Sequence, residues 1–255
     1  MNLDPSLKEA WFDLGLIYKW SARWEKCFDA NSRAALLVGE RREAPEWWNL
    51  GIAATALHRW DDARRAWRVY GVEVPDGPGE IDFDGGPCPV RLDPSGSGEV
   101  VWGRRLCPAR IQIESVPFPE SGRCWHDIVL HDGVPNGYRE SWGREFPVFD
   151  ELERWRDSGV PTIAVSVETE GPEHLEPLLQ AFDAADLPIE NWTTSVRMLC
   201  RDCSEGRPHQ GHEDENLREG RSFVLGSAGT LAAAQSAAAS WHAPPARIVS
   251  SVESR

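Results

Sequence analysis

The sequence predicts an α+β protein. Residues 1–73 read as all-α helical hairpins, and residues 74–255 read as a mixed, β-rich acidic region. Three observations carry this. The first third repeats itself at an offset of 36 residues, which is the signature of stacked supersecondary units. Past Tyr70 the chain changes to short apolar runs divided by Gly and Pro, the texture of strands and turns. The excess negative charge also begins there: basic and acidic residues balance at 11 each up to Glu73, then stand at 16 against 30 from Val74 onward.

The repeat pairs "WFDLGLIY" (Trp11–Tyr18) with "WWNLGIAA" (Trp47–Ala54), so that Trp11, Leu14 and Gly15 match Trp47, Leu50 and Gly51. The following helices open on "RWEKC" and "RWDDA" at the same offset. Helical spacing of Trp11, Leu14, Tyr18, Trp24, Leu50, Trp60 and Trp67 predicts helices over Pro5–Lys19, Ala22–Val38, Ala44–Leu57 and Trp60–Tyr70. Gly15 and Gly51, having no side chain, let paired helices approach closely.

This W-x-x-L-G pattern resembles the tetratricopeptide repeat over about 70 residues. The period is two residues longer than that family's, and the extra residues fall in the turn "GERREAPE". Cys27 stands where the family usually has Ala, Ala54 replaces its usual Tyr, and Ala63 takes the small-residue place. The resemblance implies a concave face on the first helix of each hairpin, carrying Phe12, Leu16, Trp48 and Ile52. That face is either a groove for a partner peptide or an interface with the rest of the chain. Burying such side chains is worth roughly 1.5–3 kcal/mol each, and two hairpins fall short of the ~3 repeats a free-standing array needs. The expectation is therefore an interface with the chain's own C-terminal region.

In that region, strands are expected at Val100–Arg104, Ala109–Val116, Asp127–His131, Phe146–Phe149 and Thr162–Glu168, with "HDGVPNG" (His131–Gly137) as a turn. Leu175, Leu178, Leu179 and Phe182 mark a helix. The Ala-rich stretch Ala228–Ala239 reads as another helix, because Thr230, Gln235 and Ser236 make it too polar for a bilayer. "SVRMLC" (Ser195–Cys200) is a further strand. The order "VVWGRRL…RIQIESVPFPESG…DIVLHDG…PVFDELE…SVRMLCRDCSEGRPH" is similar to a segment behind such repeats in uncharacterised bacterial proteins. Some bacterial repeat-plus-β proteins neutralise toxins, so the resemblance implies an immunity-like role as an expectation.

The net charge of −14 repels phosphate backbones and argues against nucleic-acid binding. With no basic, apolar leader and no bilayer-length apolar run, the expectation is a cytoplasmic protein with no membrane partner. Its six cysteines then read as reduced thiols or metal ligands. "CRDCSEGRPHQGH" holds Cys200 and Cys203 at C-x-x-C spacing, then His209 and His212. Four N and S donors suit tetrahedral zinc and leave no open position, so the expectation is a structural zinc. "HDIVLHD" (His126–Asp132) raises a second chemistry, a metal-dependent hydrolase using Asp127 and His131, which share one face of a strand. Trp102, Trp125 and Trp142 are expected to form an aromatic patch near a strand edge. The leading expectation is a non-enzymatic protein–protein interaction module that binds a bacterial partner protein; the hydrolase is the alternative.

Overall fold

A computed structural model describes residues 6–96, 98–193, 222–241 and 248–254. The chain opens with four helices: α1 (Lys8–Trp20), α2 (Trp24–Val38), α3 (Pro45–Ala56) and α4 (Trp60–Tyr70), each packed on the next. Pro45 starts α3 at a position that needs no N–H donor, and Gly71 ends α4 in the left-handed conformation. The repeat glycines sit where helices touch. A Cβ on Gly15 would lie 2.5 Å from Asn31 Nδ2, and one on Gly51 would lie 2.6 Å from the Trp67 ring. Asn31 and Trp67 are themselves equivalent in the repeat. Each copy fills the same gap differently, with an amide bonded back to Cys27 O at 2.9 Å or with a fully buried indole.

Five strands then form a closed barrel: β1 (Pro87–Arg91), β2 (Val100–Cys107), β3 (Arg110–Ile113), β4 (Ile128–Ser141) and β5 (Arg144–Arg156). Neighbours run antiparallel, and β1 closes the ring parallel to β5 through Val90↔Phe149 and Arg91↔Asp150. Val90, Val101, Ile111, Ile113, Val129 and Phe149 belong to one buried core. The segment from helices to barrel is strapped down at both ends. Arg64 donates to Pro75 O at 3.0 Å and to Gly79 O at 2.9 Å. The fully buried Arg110 pairs with Glu80 at 2.7 Å, donates to Ile81 O, and lies over the Trp60 and Trp155 rings.

His131–Gly137, expected as a turn, is instead a bulged stretch inside β4. The register shifts between His131 and Pro135 and again between Pro135 and Tyr138. Gly, Pro and Asn serve at bulges as well as at turns. The chain actually reverses at Trp142 and Gly143, both left-handed with φ of 50° and 68°.

Among the described residues, the elements that follow are β6 (Thr162–Glu168), α5 (Glu176–Asp183), β7 (Ile189–Asn191), β8 (Ser222–Ala228), α6 (Leu231–Ser240) and β9 (Ile248–Ser254). Their antiparallel sheet has the order β7-β8-β6-β9. Among the described residues, β-α-β-β-α-β elements with this sheet order have a ferredoxin-like arrangement. Ile163, Val165 and Val167 of β6 pack with Leu178 and Phe182 of α5 and Ala234 of α6. On the other side, Trp192 packs with Val116 and Ala164, and its Nε1 donates to Val116 O at 3.0 Å. The whole is an α+β fold. Among the described residues no helix is long and apolar enough to cross a membrane.

Candidate functional site

The expected zinc ligands Cys200, Cys203, His209 and His212 lie outside the described residues, as does the whole strand Ser195–Cys200 expected before them. Among the described residues no group of three or more His, Cys, Asp and Glu is placed to hold a metal.

Of the expected concave face, Ile52 is fully buried in a core that includes Cys107, Ala109 and Leu130 of the barrel region. Trp48 meets the Trp67 and Tyr70 rings edge-on at 5.1 and 4.8 Å. Its indole also lies on the Gly133 backbone of β4, where a Cβ would sit 1.7 Å from Trp48 Nε1. Phe12 and Leu16, on α1, are half-buried and lie outside that core. Polar contacts reinforce the same joint. Lys19 Nζ donates to Asn49 Oδ1 at 3.0 Å and to Asp132 Oδ1 at 2.6 Å, and the Trp24 indole donates to Glu153.

Asp127 and His131 have separate surroundings. Asp127 is fully buried just before β4. Its oxygens accept from the backbone N–H of Cys124 at 3.0 Å and of Ser158 at 2.8 Å, so the carboxylate ties two loops together. His131 is fully buried against Phe149 of the barrel core, with Nδ1 2.7 Å from Asp132 O. Burial, and then the Arg105 guanidinium, push its pKa down to about 3, so the ring is neutral at neutral pH.

The outer surface of the β4–β5 hairpin is the clearest exposed feature. Trp102 lies 5.2 Å from Trp142 and 5.1 Å from Phe146, and Trp142 lies 5.8 Å from Phe146. Arg139 lies over Trp102 at 5.2 Å, and Arg144 lies by Phe146 at 5.5 Å. Arg139 also donates to Val100 O at 3.1 Å, and burial lowers its pKa. The cross-strand pair Arg139↔Phe146 is followed by Glu140↔Glu145, so strand alternation sends the two acids to the opposite face. Trp142 is 73 % exposed. Its left-handed backbone costs a bulky L-residue roughly 1–2 kcal/mol. Trp125 does not join this group; it stacks on His126 at 3.3 Å and packs with Val116 and Trp192. Phe146 was legible only as a strand residue, because the register that brings it to Trp102 depends on a hairpin the sequence did not reveal.

A cleft of about 750 Å³ opens elsewhere, between the C-terminal end of α1, the β1–β2 turn and the β4–β5 strands. Asp132, Asp150 and Glu151 lie along it, with Trp20, Arg123 and Asn136. No family model, curated protein or solved structure matches this chain.

Proposed function

We propose that the chain is a non-enzymatic protein-interaction module. Its N-terminal hairpins are read as tetratricopeptide-like repeats fused to the barrel, and its contact surface is the outer face of the β4–β5 hairpin. One observation carries the reading: Trp142 stands exposed at a hairpin tip in a backbone conformation unfavourable to it, beside Trp102, Phe146, Arg139 and Arg144. Trp and Arg dominate the energetic centres of protein interfaces. With Glu140 and Glu145 on the far face, the patch suits a partner surface that is apolar and acidic. The partner is a bacterial protein, and neutralising a toxin is the form of binding that the resemblance suggests. The burial of Asp127 and His131 favours binding over the hydrolase alternative.

The test uses affinity capture with the full chain, followed by measured affinity for the purified partner. Trp142→Gly keeps the left-handed turn and removes the indole. It should weaken binding by about 30-fold or more, the equivalent of an interface hot spot of at least ~2 kcal/mol. Unchanged affinity in Trp142→Gly sinks this surface as the contact. A hydrolytic activity that Asp127→Asn removes transfers the reading to the hydrolase.

The run Cys200–His212 is proposed as a structural zinc staple, supported by its four N and S donors at short spacing. Metal analysis of the purified chain should give about one zinc per molecule. Replacing Cys200 and Cys203 together by Ser should remove it and lower the melting temperature. A metal-free protein whose melting is untouched by that double change has no such staple.

A further inference from the structure

The cleft beside Trp20 has a floor of carboxylates whose charge is cancelled from behind. Asp132 pairs with Lys19, Asp150 with Arg91 and Glu151 with Arg123. Lys19 and Arg91 are themselves almost wholly buried. Taking ions out of water costs several kcal/mol each, so such pairs are a poor way to stabilise a barrel. What three of them on one floor do achieve is to hold carboxylate oxygens in fixed positions.

That floor keeps unused acceptor capacity. Asp132 is 6 % exposed and lines the cleft. Lys19 and the Gly133 N–H both bind its Oδ1, and among the described residues no hydrogen bond reaches its Oδ2. Asp150 accepts from Arg91 on one oxygen and from Asn136 Nδ2 at 2.7 Å on the other. Glu151 accepts from Arg123 Nε at 2.6 Å and from the Asp93 N–H at 3.0 Å. Each of these oxygens has a further lone pair to offer. At the rim, Trp20 is 54 % exposed and presents a flat apolar face.

We infer that this cleft binds a neutral, hydroxyl-rich ligand, a short oligosaccharide. With the cationic partners already in place behind the floor, hydroxyl groups are suitable further donors to these carboxylates, and O–H···O⁻ bonds are short and strong. The three floor charges are matched one for one, so the floor offers neither a cation nor an anion an excess of opposite charge. Asp93, at the rim, is engaged with Ser95 of its own turn at 3.5 Å. The indole can cover the apolar face of a sugar ring while the floor takes its hydroxyls. A volume of about 750 Å³ falls within the range of small-molecule sites. This site is separate from the hairpin patch and stands or falls without it.

The test is a titration of the full chain with cellotriose, maltotriose, xylotriose, mannotriose and chitotriose, followed by saturation-transfer NMR and calorimetry. Arginine and tri-lysine serve as cationic controls. At least one trisaccharide should bind with a Kd below about 10 mM, and Trp20→Ala should weaken it by about tenfold or more. Trp20 also packs against Lys19 at 5.6 Å, so Trp20→Ala is melted beside the wild type to separate loss of the cleft from loss of the fold, and Trp20→Phe, which keeps a flat apolar ring, should keep most of the binding. Three results overturn the inference: no trisaccharide binds, binding survives intact in Trp20→Ala, or the cationic probes bind in place of the sugars.

Discussion

Lys19→Met is expected to destabilise the protein by about 3–5 kcal/mol, the usual cost of removing one member of a buried ion pair. Lys19 is one of only three lysines in the chain, and it is buried with its two acceptors, Asn49 and Asp132. Methionine keeps most of the stem's packing but strands the Asp132 carboxylate between α1 and β4. Urea unfolding measures the loss. The double variant Lys19→Met, Asp132→Asn should recover part of it, because no unpaired charge then remains. A loss below about 1 kcal/mol would place this pair among exposed surface bridges, with the cleft water solvating Asp132 unaided.

Acidification should cost stability chiefly through His131; His126, whose pKa burial also lowers, adds a slope of the same sign. His131 has a folded pKa of about 3, against an ordinary value near 6.5. Between those values the unfolded chain binds a proton that the folded chain refuses. Its contribution is therefore complete above about pH 6.5, falls by about 1.4 kcal/mol per pH unit below it, and is exhausted near pH 3. Carboxylates add their own slopes only below about pH 4.5, which leaves roughly pH 4.5–6.5 as the diagnostic window. His131→Phe should make the stability profile clearly shallower there, leaving the slope that His126 supplies. Equal slopes in variant and wild type would mean that the folded protein protonates His131 and that the ring is not sealed in.

The helices were legible because their determinants are local. Gly15, Gly51 and the tryptophans recur at fixed spacing, and α4 begins and ends where that spacing puts it. The stretch from His131 to Gly137 misled for a long-range reason. Gly133 looks like a turn residue, yet it is needed where Trp48, far away in sequence, lies on the β4 backbone. Pro87–Arg91 forms β1 although Pro87 and Pro89 read as loop; the strand is set by its pairing with β2 and β5, not by propensity. The same limit applies to the sites. Trp102 and Trp142 could be flagged as aromatic, but only the hairpin register adds Phe146 and excludes Trp125. The cleft was invisible, since Trp20, Asp132 and Asp150 share no spacing or motif and meet only when α1 docks on the barrel.

A ring of strands is as stiff as its weakest joint. Where β1 meets β5 the ladder holds only two residue pairs, and one of them, Arg91↔Asp150, is latched by its own side chains. Thermal breathing of the barrel should start at this joint, because few backbone bonds must break there. Asp150 is also part of the cleft floor. A molecule lodged on that floor leans on the latch, so how often the ring springs open and how often the cleft is filled become two readings of one equilibrium.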